Sequence, residues 1–265
     1  MSAMMTTSPA PRVGGAGWML VPALVALAAI AATPTLRDPD YEAISFLGDT
    51  LRALPMSADA RARAEQQLDQ ARAAFRRDST NVDSIIWLGR RLAYLGRFRE
   101  SIDVYSKGIA RYPTNAWLYR HRGHRYITVR QLDRAIADLE RAQSLVKGQP
   151  DQIEPDGQPN AQNTPIGTLH SNIAYHLGLA YYLKGDYARA VPLYQHEMAA
   201  ATNDDRRVST AHWLYMSLRR LGRTGEAANV LKPISRQMKV IENDTYLKLL
   251  LLYKGELPPD SLLPP

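Results

Sequence analysis

Cysteine is absent from the 265 residues of this chain, which removes disulfide frameworks, cysteine zinc sites, thiol catalysis and the acylated cysteine of a lipoprotein. Several catalytic signatures are missing as well. The sequence holds no G-x-S-x-G elbow, no G-x-x-x-x-G-K-[ST] phosphate loop, no G-x-G-x-x-G after a strand and no HExxH. No Val/Ile/Thr-rich alternating segment is long enough to favour a sheet-based fold, and no lysine-rich or aromatic-basic run marks a nucleic-acid surface. Hydrophobic residues make up 45%, charged residues 22%, and the mean hydropathy is −0.32. That balance excludes both a wholly disordered chain and a multispanning membrane protein.

Of the charges that are present, 33 are Lys or Arg against 26 Asp or Glu, a net +7, and arginine supplies 26 of the cations. Arginine pairs bidentately with carboxylate and phosphate, so a groove rich in it favours an anionic ligand. The competing source of this bias is genomic base composition, because the basic residues are interspersed with acids.

Residues 13–36 carry no charge, and Trp18 to Ala32 form an apolar run that follows Arg12. The run, its basic flank and the spacing of Ala29 and Ala31 describe a cleavable export signal. Counted from Val13, the stretch of 20 residues is also close to the length that spans a bilayer, so an uncleaved anchor is the alternative, with a chance apolar tail behind both. The expected location is the periplasm, or the outer side of the cytoplasmic membrane, with membrane contact only through residues 1–36.

Beyond Pro34 the sequence reads as helix. Tyr41 to Leu54, with Leu47, Leu51 and Leu54, and Ala58 to Arg77, with Ala64, Leu68, Ala71 and Phe75, are expected to form a helical hairpin broken at Pro55 and capped by Ser57. This hairpin occupies 37–81. After it, segments starting at Val82, Ala116, Ser171 and Val208 align on a period of 34 residues. The first has Leu88-Gly89 at places seven and eight, Gly96 at fifteen, Tyr105 at twenty-four and Pro113 at thirty-two. The second has Gly123, Tyr126, Ala135 and Ala142 at places eight, eleven, twenty and twenty-seven. The third has Leu177-Gly178, Tyr181, Gly185, Ala190 and Tyr194 at matching places. In the fourth, Leu214 and Ala227 match, but Tyr215 stands where the others have glycine.

This pattern resembles the tetratricopeptide repeat. The resemblance implies an all-α fold, a right-handed superhelical α-solenoid, with repeats at 82–149 and 171–240 and a capping helix and tail at 241–265. Small residues sit where paired helices approach, and larger ones fill the space between. On that basis helix should exceed about 70% of the residues after Asp38, with no sheet. The family resemblance also implies a scaffold that binds a protein or peptide, with no nucleic acid and no cofactor.

A proline-rich insertion at 150–170 breaks the period, with prolines at 150, 155, 159 and 165. So long a loop is either a spacer or a functional lid. Regular prolines lower its unfolded entropy and favour an ordered path over the groove.

In each repeat the first helix should line the concave side. Places two, five, six and nine then gather Trp87, Arg90, Trp117, Arg120, His121, His124, Tyr175, His176, His212 and Trp213 on one face. These amphipathic aromatics and arginines are the residue types enriched at binding hot spots. The expected ligand is a protein segment, or another acidic and partly apolar molecule. Two readings compete with it. The aromatics could serve only to pack adjacent helices, or His121, His124 and His176, completed by Glu154 or Asp156, could bind a divalent metal such as zinc in a small-molecule or enzyme site capped by the loop.

Overall fold

The structure, a computed structural model, describes residues 41–262. It begins with a small antiparallel hairpin, β1 (Tyr41–Ile44) and β2 (Thr50–Arg52), rather than the helix expected there. The reason lies in the turn between them. Gly48 has φ +93°, and the Ser45 hydroxyl accepts from the backbone N–H groups of Leu47 and Asp49. Leu47, at 91% exposed, and Leu54, at 84%, therefore share no buried face despite their helical spacing. Only Ala43 of β1 is buried, and Glu42 accepts from the backbone N–H of Arg99 at 2.9 Å, which docks the hairpin on the first repeat.

The rest is helical. After α1 (Ala58–Arg77), capped by Ser57 as expected, come four helix pairs. These are α2 (Val82–Tyr94) with α3 (Phe98–Arg111), α4 (Ala116–Thr128) with α5 (Leu132–Val146), α6 (Leu169–Leu183) with α7 (Tyr187–Ala200), and α8 (Asp204–Arg220) with α9 (Thr224–Leu231). A final helix, α10 (Asp244–Tyr253), packs on α8. Helix takes 64% of the described residues, short of the expected share because α9 is brief and both the insertion and the hairpin are non-helical. Each first helix starts at a side-chain cap, from Asn81, Asn115, Thr168 and Asn203, which satisfies amide groups that the helix itself leaves open.

The repeat contacts follow from the glycines at place eight. A Cβ on Gly89 would lie 2.4 Å from the Tyr105 ring, and one on Gly178 would lie 2.5 Å from the Tyr194 ring. In the second repeat Gly123 meets Leu139 in the same way, at 2.7 Å. Each pair joins places eight and twenty-four of its own repeat. In the fourth repeat Tyr215 instead stacks on Tyr253 of α10, with ring centroids 4.7 Å apart. The extra bulk at this position therefore seals the end of the array.

Consecutive first helices touch, α2 on α4, α4 on α6 and α6 on α8, while consecutive second helices form no comparable contact. Close spacing on one side and wide spacing on the other curves the array, and the first helices line its concave face.

Candidate functional site: the strapped concave groove

The insertion at 150–170 crosses this concave face. Its base is held by a backbone bridge between Ile153 and Thr168 and by N–H···O bonds from Glu154 to Gly167 and from Leu169 to Gln152. Its middle reaches α2, where Arg90 donates to the Pro155 carbonyl and Arg91 to that of Gly157, both at 2.8 Å. Its far side reaches the cap of α8 and the segment before α10. Asn203 donates to the Ile166 carbonyl at 3.0 Å, and Asn160 donates to Glu242 at 2.6 Å. Gly157 is required here, because a Cβ would lie 1.7 Å from the Tyr94 hydroxyl oxygen. We refer to the segment as the strap.

At the centre, Glu154 enters the groove. Its carboxylate lies 3.0 Å from Nε of Arg120 and accepts from Asn172 at 2.9 Å, and the paired side chains are only 6% and 7% exposed. Arg120 was expected to face an acidic ligand, and the acid it meets belongs to its own chain. Trp87 and Trp117 border an adjoining hollow of about 220 Å³ whose other wall includes Ile153 and Pro155 of the strap. The Arg90 and Arg91 guanidinium groups lie over the Trp87 ring at 4.6 and 4.9 Å, a cation–π arrangement that fixes both cations beneath the strap.

Two of the histidines, His121 and His176, are buried, with His124 half-buried beside them. His124 and His176 have ring centroids 4.1 Å apart. Nδ1 of His176 donates to the Asn172 carbonyl at 2.6 Å, and Nδ1 of His121 accepts from Arg120 at 3.1 Å. Burial first, and then the nearby Arg120 and Arg125, push His176 down to about 3. Burial and neighbouring arginines likewise hold His121 and His124 well below the usual histidine range. All three rings are therefore neutral at physiological pH.

This arrangement is poorly suited to the metal alternative. Among the described residues, no group of three or more His, Asp or Glu side chains is placed to hold a metal ion. His176 Nδ1 is committed to a carbonyl, and Glu154 is committed to Arg120 and Asn172. Asp156 does not line the hollow that holds His121 and His124, and His176 is the one imidazole whose chamber it shares. Arg90, Arg120 and Arg125 line the same hollow as His121 and His124, so a dication there would meet repulsion.

Beyond Arg120 the strap roofs a chamber of about 380 Å³ bounded by α6, α8 and the segment leading into α10. Of the residues singled out in the sequence, Arg90, Arg120, Glu154, Asp156, Tyr175 and His176 line it. Trp213 does not, although its indole N–H donates to the Tyr175 hydroxyl at 2.9 Å and so steadies the wall. His212 is also absent from the groove, because its ring is sandwiched against Tyr246 and Tyr253 of α10.

Sequence reasoning placed Asn172 on the concave face but missed Arg91, Tyr94, Arg206 and Tyr246. It also missed Asp205, the residue that shapes the far wall. The buried Asp205 carboxylate accepts from the backbone N–H groups of Ile241, Glu242 and Asn243 at 2.9–3.1 Å, which ties the segment before α10 to the start of α8.

No family model matches the chain, and no curated protein matches it. Solved structures do. One described as "MamA RS-1 ArsTM double mutant" aligns over 75% of this chain and 92% of its own, with 15% identity and a TM-score of 0.50. Another, "Crystal structure of MamA", covers 77% of this chain and all of its own at 16% identity and a TM-score of 0.49. A third is titled "Crystal structure of YrrB: a TPR protein with an unusual peptide-binding site", with 15% identity, 70% and 84% coverage and a TM-score of 0.47. At these identities the likeness concerns the fold alone. The chain has the fold of an all-α tetratricopeptide-type solenoid. Among the described residues, no helix is long and apolar enough to cross a membrane, and residues 1–36, where an export signal or anchor is expected, lie outside them.

Proposed function

We propose that the chain is a binding scaffold whose concave face takes an extended, acidic segment of a partner protein. The observation that carries this reading is the strap itself. Its backbone carbonyls at Pro155 and Gly157 sit on Arg90 and Arg91, and its Glu154 carboxylate sits on buried Arg120. A face that holds one extended segment through carbonyls and a carboxylate has the chemistry to hold another. The tryptophans beside it supply apolar contact area at little entropic cost. The uncharged stretch at 13–36 supports the companion proposal that the solenoid works outside the cytoplasmic membrane, exported or tethered by its N-terminus. A reporter fused after Asp38 and active only in the cytoplasm would overturn that part.

The groove reading is tested with a variant in which Gln152 to Pro165 are replaced by a glycine-serine linker, and a labelled synthetic peptide of residues 150–168 added in trans. Saturable binding is expected, weakened by about 1–2 kcal/mol or more by Arg120→Ala in the protein or by Gln in place of Glu154 in the peptide. Binding that ignores both changes would count against an acidic-segment groove.

A further inference from the structure

The chamber under the strap has binding capacity that the strap leaves unused. At about 380 Å³, it falls within the size range of small-molecule sites. Three buried polar atoms in its wall have no hydrogen-bond partner in the protein: Nε of Arg120, Oδ2 of Asp156 and Nε of Arg206. The first lies 3.0 Å from the Glu154 carboxylate as an ion pair, which leaves two atoms of opposite sign, Asp156 Oδ2 and Arg206 Nε. Buried polar groups are nearly always paired, because an unpaired one has given up water for nothing. Nearby groups do not cover either atom. Glu197 engages Nη2 of Arg206 at 2.9 Å and leaves Nε open. Arg90, whose charge acts on Asp156, bonds instead to the Pro155 carbonyl through Nη1 and to the Tyr94 hydroxyl through Nε.

The overall charge of the walls narrows the ligand class. Four carboxylates (Glu154, Asp156, Glu197, Glu242) face three guanidinium groups (Arg90, Arg120, Arg206). A polyanion would be repelled by the former and a polyamine by the latter. A ligand with one charge of each sign meets both open atoms and leaves no buried charge unpaired. We propose that the chamber binds a small zwitterion of the α-amino-acid or dipeptide class, with its ammonium on Asp156 and its carboxylate on Arg206. Asp156 belongs to the strap while Arg206 belongs to α8, so the bound zwitterion bridges the two and holds the strap closed. This inference does not rest on the groove reading, since the two atoms it uses, Asp156 Oδ2 and Arg206 Nε, take no part in the contacts that Arg90, Arg91 and Arg120 make with the strap.

The test uses the full-length protein, dialysed exhaustively, and calorimetry with the twenty common amino acids and a set of glycyl dipeptides. Saturable binding of at least one is expected. Its N-acetyl analogue, which lacks the ammonium, and its carboxamide, which lacks the carboxylate, should each bind about ten- to hundredfold more weakly. Asp156→Asn should abolish the penalty for N-acetylation, and bound ligand should slow hydrogen exchange of residues 152–160. The proposal is overturned if no member binds at about 10 mM, or if the two analogues match the parent compound. The analogue comparison on the unmutated protein holds whether or not any variant folds.

Discussion

Replacing Glu154 with Gln isolates the contribution of a single charge. The side chain keeps its volume and can still accept from Asn172, but Arg120 is left without a counter-ion. Both members of the pair are more than nine-tenths buried and lie 3.0 Å apart. Removing one partner of such a pair costs about 3–5 kcal/mol, because the remaining charge stays desolvated. Arg90 adds to the penalty, since it already works against the charged form of Arg120. For a chain of this size, about 3 kcal/mol corresponds to a fall of roughly 6–12 °C in melting temperature. A second outcome is built into the geometry. If lifting the strap costs less than burying an unpaired guanidinium, Arg120 gains water by opening the strap, and the loss appears as local opening. Thermal denaturation combined with hydrogen exchange across residues 150–170 separates these outcomes. The double variant Arg120→Met with Glu154→Leu should recover most of the stability, because apolar replacement of a whole buried pair is often neutral or better. A Glu154→Gln protein within about 0.5 kcal/mol of the parent, with unchanged exchange in the strap, would refute the argument that this pair holds the strap down.

The histidine cluster makes stability depend on acid. His121, His124 and His176 have folded pKa values below their unfolded values, so their contribution is complete above about pH 6.5 and is lost as pH falls. Each should cost about 1.4 kcal/mol per pH unit in that window, which for His176 extends down to about 3. Urea midpoints that do not move between pH 7 and pH 5 would contradict this. Asp205→Ala strips an acceptor from three backbone N–H groups and should destabilise by about 3 kcal/mol or more, with the loss visible as faster exchange in α10. Gly178→Leu drives carbon into the Tyr194 ring, 2.5 Å from the first added atom, and should cost about 1–3 kcal/mol or more in chemical denaturation. An unchanged midpoint there would place the repeat alignment out of register.

The solenoid was legible in the sequence because its decisive contacts are local and repeated. Gly89 against Tyr105 and Gly178 against Tyr194 sit at the same places in two repeats, so a period of one supersecondary unit reports the packing of every unit. The first segment had no such redundancy. Three leucines at helical spacing between 47 and 54 pointed to a helix, yet the turn at Ser45 to Asp49, with Gly48 at positive φ, decides the structure. A hairpin of this length has too few residues for period-two alternation to show.

The site was legible only by half, and the half that was missed has a common cause. A helical face can be read from spacing, which is how Arg90, Arg120, His121, His124, Tyr175 and His176 came together. What pairs with that face cannot be read the same way, because the partners come from far along the chain: Arg90 meets Pro155, Asn160 meets Glu242, and Asp205 gathers Ile241 to Asn243. Glu154 and Asp156 stood out in the insertion as potential metal groups, but in the folded chain they play opposite parts. Glu154 neutralises the arginine that the sequence reserved for a partner, while one oxygen of Asp156 stays unpaired in the chamber. Two neighbouring acids on one strap, one satisfied from within and one not, suit a segment that both occupies the groove and encloses a pocket. Deleting the strap should therefore expose the arginine face and destroy the chamber at once. The trans-peptide experiment and the zwitterion titration should respond to that deletion in opposite directions, binding of the peptide appearing as binding of the small molecule disappears.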